Sequence, residues 1–251
     1  MKRWLRLSRK SPARKGNDVL TLGMDTATRV CSVAVCKDEK ILGSLDINVG
    51  LTHSEGLVPQ LETLLKLARV TKDELDLIAV SRGPGSFTGL RIGMATAEAM
   101  AYALDKPLVA VDTLKAIAYN LPVPGVRLTP VLDAQKGNLY VGSYAWQDGE
   151  LVELAPVEIV AGKELAAKLE TGDTPAILMG ECHRVPLEGT YTKVFAAPES
   201  ARLPRGSSVA ILGAKQFDPE ADKHAYFGMD PFYIRRSEAE ELWEKRHPEG
   251  R

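Results

Sequence analysis

The hydrophobic pattern divides the chain into short apolar runs and longer stretches with helical spacing. Residues 19–24, 30–36 and 41–49 read as three strands, and the polar turn at 37–40 joins the last two as a hairpin. Three strands ahead of any helix predict an antiparallel start to a mixed sheet. Residues 54–68 then place Leu57, Leu61, Leu64, Leu65 and Ala68 on one helical stripe. Next come a strand at 77–80, a helix at 88–104 and a strand at 108–111, a complete βαβ unit. A helix over 113–120 stops at Pro122-Val123-Pro124-Gly125. Beyond it the pattern restarts, with strands at 128–132, 139–146, 151–160 and 176–179 and a helix at 163–169. Each half begins with a strand, an aspartate (Asp25 or Asp133), a turn and an antiparallel strand. That repetition predicts a duplicated α/β domain whose second copy is shorter. The expected division is 1–17 as a basic, disordered extension, 18–121 as the first lobe and 122–251 as the second. Residues 184–205 are rich in Pro and Gly and weakly periodic, and 237–246 read as a charged helix anchored by Leu242 and Trp243.

Composition narrows the function classes. A hydrophobic share of 45% and a charged share of 26% over 251 residues are ordinary for a globular protein. Seven of the 32 bases (Lys2, Arg3, Arg6, Arg9, Lys10, Arg14 and Lys15) precede any acid, so 25 bases face 33 acids in the body. An acidic body is a poor clamp for a phosphate backbone. Cys31, Cys36 and Cys182 form no CxxC pair, which argues against a zinc site or disulfide scaffold and suits a reducing, cytoplasmic setting. No apolar run reaches the roughly 18 residues of a membrane span.

Two segments carry candidate chemistry. Gly83-Pro84-Gly85-Ser86 feeds a helix start, an arrangement that turns backbone N–H groups toward an anion, although neither the dinucleotide nor the P-loop spacing is present. The plainer alternative is a tight strand-to-helix turn capped by Ser86 or Thr88. Asp25-Thr26-Ala27-Thr28 ends a strand with a carboxylate and hydroxyls that suit a magnesium-nucleotide, or else simply cap a hairpin. His53 stands without a second ligand at metal spacing, and Cys182-His183 are adjacent only in sequence, so neither a metal, a cofactor nor a catalytic constellation is expected. The helix over 88–104 carries Gly89, Gly93, Ala97 and Ala101 on one face and is apolar or small nearly all round, with Met94 and Met100 on other sides. Such a helix is covered on more than one side, and a partner subunit is one natural cover. The interface residues expected are Leu57, Leu61, Leu64, Gly89, Gly93, Met94, Ala97 and Met100.

The runs LGMDTATRVCSVAV, THSEGLVPQLETLL, DLIAVSRGPGSFTGLRIGMATAEAMAYALDKPLVAVDTL, PVLDAQKGNLYVGSY and PFYIRRSEAE together resemble the TsaB family of bacterial tRNA threonylcarbamoyladenosine biosynthesis proteins. The resemblance implies an actin/hexokinase/Hsp70-like (ASKHA) fold of two related lobes, each a mixed sheet flanked by helices. It implies a non-catalytic subunit that scaffolds its paralogue, the catalytic subunit TsaD, together with the ATPase TsaE. The tRNA would be met only through that complex, and the chain alone would be free to form a homodimer. The paralogue carries a metal-binding histidine pair where this chain has Thr113 and Ile117, neither of which replaces imidazole. On this view Asp25, Thr26, Gly83, Gly85, Ser86 and Asp133 are remnants of a nucleotide cradle. The competing expectation is an ATP-dependent phosphotransferase of the same superfamily, using Asp25, the Gly83 turn and Asp133.

Overall fold

The computed structural model describes residues 18–49, 53–189, 191–223, 229–232 and 234. The basic stretch at 1–17 and the charged helix expected at 237–246 lie outside these. Strands β1 (Leu20–Asp25), β2 (Cys31–Lys37) and β3 (Lys40–Ile47) form an antiparallel meander. Its tight second turn is made possible by the left-handed conformation of Asp38. Helix α1 (His53–Ala68) leads to β4 (Leu77–Gly83), helix α2 (Phe87–Leu104) and β5 (Leu108–Asp112). The sheet order is β3-β2-β1-β4-β5, with β1, β4 and β5 parallel.

Alternation decides what covers each face. Leu20, Leu22 and Met24 of β1 and Ile78 and Val80 of β4 turn toward α1 and α2 and join Leu57, Leu61, Leu64, Met94 and Ala97 in one core. Helix α3 (Thr113–Tyr119) then leads into the second sheet. That sheet holds β6 (Arg127–Asp133), β7 (Asn138–Gln147) and β8 (Glu150–Ala161), followed by helix α4 (Gly162–Glu170), β9 (Ala176–Gly180) and β10 (Val194–Ala196). Its order is β10-β9-β6-β7-β8, the same winding as the first sheet. The two lobes are therefore copies of one topology, the duplicated-lobe architecture of the actin/hexokinase/Hsp70 class.

Two helices follow β10: the short α5 (Glu199–Arg202) and α6 (Gly206–Gln216). Residues 206–216, placed with the second lobe on sequence, instead pack on the first sheet, on the face opposite α1 and α2. The approach is close. A Cβ on Gly23 of β1 would stand 2.2 Å from the Gly206 carbonyl oxygen, and one on Gly213 would stand 2.5 Å from Ala79 Cβ. The α6 N-terminus is satisfied by β2, since Gly206 N–H donates to Ser32 Oγ at 2.6 Å. Helix α3 fills the space between the lobes. Its Ala116 packs with α6, and Leu114, Ile117 and Ala118 pack with the second sheet.

Candidate functional site

Three parallel strands of the first lobe end side by side at Asp25, at Ser81–Gly83 and at Asp112, where an open α/β sheet presents its crevice. Asp25 is fully buried. Its Oδ1 accepts from Ala27 N–H at 3.0 Å, whereas Oδ2 has no hydrogen-bond partner. Burial pushes its carboxyl up to about 6, against smaller lowering contributions from the Ser81 hydroxyl, the Ala27 N–H and the His53 imidazole. Ser81 Oγ, on the neighbouring strand, is close to Asp25 without the geometry of a formed hydrogen bond. Neither Ser81 nor the Arg82–Asp112 ion pair (Nε to Oδ1, 2.7 Å) was singled out on sequence. The available signal was their position at the end of the strand feeding the glycine turn.

Three donors at the glycine turn are occupied from within. Gly83 N–H goes to Thr113 Oγ1 at 3.1 Å, Ser86 N–H to the Ala27 carbonyl at 2.7 Å, and Gly89 N–H to the capping Ser86 Oγ at 3.3 Å. Thr26 Oγ1 donates to the Gly89 carbonyl at 2.8 Å. The Asp25 and Gly83 turns therefore bind each other, and the first turn of α2 seals them together. Thr113 and Ile117 serve the fold in the same way, the first as the acceptor for Gly83 and the second as a fully buried core side chain. Asp133 is the second lobe's counterpart of Asp25. Its Oδ1 accepts from Gln135 N–H at 2.8 Å, and its Oδ2 pairs with Arg184 at 3.1 Å. Asp25 and Asp133 share no hydrogen-bond partner.

The expected interface residues require a correction. Leu57, Leu61, Leu64, Gly89, Gly93, Met94 and Ala97 are all buried inside the protomer, and Met100 packs partly buried against the same core. What approaches the small face of α2 is Thr26. A Cβ on Gly89 would stand 2.1 Å from its carbonyl oxygen, and one on Gly93 would stand 2.2 Å from its Oγ1. The opposite side of α2 faces outward, with Tyr102 70% exposed and Ala95 and Ala99 on the same side, whereas the exposed side of α1 carries Glu55, Glu62 and Lys66. Next to α1, a mostly apolar recess of about 320 Å³ opens between the helix and edge strand β3, lined by Leu45, Ile47, Val49, Pro59 and Gln60 among others. His53 joins α1 to the Asp25 turn through Nε2 and the Thr28 carbonyl, 2.7 Å apart. Cys182 is buried and takes Arg202 Nη1 at 3.2 Å, while His183 is exposed, so the two form no nucleophile–base pair.

Comparison with known proteins agrees with this architecture. The sequence model of the family described as "TsaD: tRNA N6-adenosine threonylcarbamoyltransferase" matches residues 48–173. The tRNA threonylcarbamoyladenosine biosynthesis protein TsaB of Bacillus subtilis is 30% identical over 226 residues, spanning 88% of this chain and 96% of that one. The Escherichia coli protein of the same name is 29% identical over 147 residues, 55% of this chain and 63% of its own. A crystal structure from Pseudomonas aeruginosa, described as an uncharacterized protein with similarity to peptidase YEAZ, superposes with a TM-score of 0.70 at 26% identity. It covers 86% of this chain and 100% of its own. The fold and the glycine-turn segment thus define a duplicated-lobe α/β protein related to the threonylcarbamoyltransferases. Within that class, the chain belongs to the TsaB family.

Proposed function

We propose that this chain is a non-catalytic subunit of the bacterial machinery that makes N6-threonylcarbamoyl-adenosine in tRNA, acting in the cytoplasm by scaffolding TsaD and the ATPase TsaE. One observation carries the reading: α2 keeps an exposed outer row of Ala95, Ala99 and Tyr102 while its inner face is consumed by the core. Support for the non-catalytic role comes from the glycine turn, where the Gly83, Ser86 and Gly89 N–H groups are engaged by Thr113, Ala27 and Ser86. On this reading the partner surface is the outer side of α2, the reverse of the side expected on sequence. The same face offers a second copy of the chain a docking site when TsaD is absent.

Ala99→Arg and Tyr102→Glu place charge at the centre of this face without touching the core. Each variant should keep its melting temperature and lose co-purification with TsaD from the same organism. A complex that survives both changes rules out this surface. Micromolar binding of magnesium-ATP by the isolated chain, read by calorimetry, would favour the phosphotransferase reading instead.

A further inference from the structure

Beyond α6 the chain returns across the molecule as residues 229–232 and Ile234, and its contacts converge on the Gly83 turn. Phe232 N–H donates to the Arg82 carbonyl at 2.7 Å. A Cβ on Gly83 would stand 2.9 Å from the Phe232 carbonyl oxygen and 3.1 Å from Leu90 Cδ1 of α2, so this residue is wedged between the returning segment and the helix. Gly83 also holds a φ of +116°, which favours glycine at this position. The Arg82 guanidinium lies 5.7 Å from the centre of the Phe232 ring, and its Nε is held by Asp112. At one end Met229 packs with the first-lobe core that contains Met94 and Ala97 of α2. At the other end Ile234 packs with the second-lobe core.

We propose that residues 229–232 with Ile234 form a strap that locks the Gly83 turn and α2 to the second lobe, so that the outer face of α2 keeps its binding geometry only while the strap is docked. This rests on the reading of that face as the TsaD surface. Among the described residues the strap gives one main-chain hydrogen bond to the turn and a half-exposed ring, and the charge of Asp230 reaches Glu98 of α2. Burial first, and then the Asp230 charge, raise the Glu98 carboxyl above its usual range, so the docked strap carries a like-charge conflict with the helix it holds.

Two changes in the full-length chain move the lock in opposite directions. Phe232→Pro removes the N–H donated to Arg82 and should speed amide hydrogen exchange across residues 82–90 by about tenfold. Asp230→Asn removes the charge conflict and should slow it. With purified TsaD as the probe, Phe232→Pro should weaken binding about tenfold, and Asp230→Asn should leave it equal or tighter. Unchanged exchange in Phe232→Pro overturns the lock. Faster exchange with unchanged TsaD affinity overturns the coupling to the partner face. If the unaltered chain does not bind TsaD at all, the partner reading and the coupling fall together, and the exchange rates still decide the lock.

Discussion

The two lobes wind their strands in the same order, yet the step from the second to the third parallel strand differs between them. In the first lobe β4 reaches β5 through the 18-residue helix α2, whose glycines clamp Thr26. In the second, β9 reaches β10 through a three-residue helical turn at Cys182–Arg184 and a loop. The consequence appears at the paired aspartates. Both accept an N–H two residues on, but Asp25 is sealed beneath α2 with one oxygen unpartnered, while Asp133 is partly exposed and paired with Arg184. A long crossover helix thus converts a crevice-lining turn into core. The lobe that kept this helix is also the one with an apolar outer face to offer.

The largest test of that contrast sets a glycine of each lobe against the other. Alanine at Gly89 gains about 1 kcal/mol of helix propensity. That gain is outweighed by a Cβ 2.1 Å from the Thr26 carbonyl, a backbone atom of the turn that follows β1. Overpacking of this kind costs about 3 kcal/mol, so Gly89→Ala should lower the melting temperature by roughly 5 °C or more after the helix gain. Gly137, in the equivalent hairpin turn of the second lobe, has nothing within 4 Å of its Cβ position, only a φ of +78°. Gly137→Ala should cost about 1 kcal/mol. Equal losses measured by thermal denaturation would mean that the first-lobe seam is not tight.

A comparable contrast follows from charge. The Asp25 carboxyl titrates near 6 in the folded chain against an ordinary value of 3.8. The folded state therefore holds its proton more tightly, so stability declines as pH rises from about 4 to 6 and is level above that. The gap corresponds to about 3 kcal/mol, discounted by whatever relaxation the site allows. Asp25→Asn removes the charge and should raise the melting temperature at pH 7.5, with the advantage disappearing near pH 4. A variant that is less stable at pH 7.5 would show instead that the ionised form has a partner, such as a cation, in solution.

Much of this contrast was legible in the sequence. Short apolar runs and period-3.6 patterns placed the strands up to β9 and helices α1 to α4 within a few residues, because the central strands are buried throughout and each helix presents an apolar stripe. The repeated strand–aspartate–turn pattern indicated the duplication. Helix α6 was not legible. Its residues 206–213 are all buried, so no stripe marks a solvent side, and the stretch before it contains Pro198 and Pro204. The small face of α2 does mark a close approach, but periodicity cannot say whether the approaching group belongs to the same chain. Here it is Thr26, 63 residues earlier than Gly89. Outer positions such as Ala95, Ala99 and Tyr102 are exposed instead.

The smallest expected effect lies at Asp133. Asparagine there keeps an Oδ1 to accept the Gln135 N–H, so the turn retains its local geometry. What is lost is the attraction to Arg184, whose side chain is 39% exposed against 36% for Asp133. Arg184 also keeps its second partner, Glu181, at 3.1 Å. An ion pair this open to solvent contributes about 0.5 kcal/mol and is screened by salt. Asp133→Asn should therefore shift the melting temperature by about 1–2 °C at low ionic strength, and by less in high salt. Denaturation at the two salt concentrations separates this from the salt-insensitive response expected at buried Asp25. A loss at Asp133 as large as the change at Asp25 would mean that the second lobe's turn is as enclosed as the first, and that the crossover helix does not account for the difference between them.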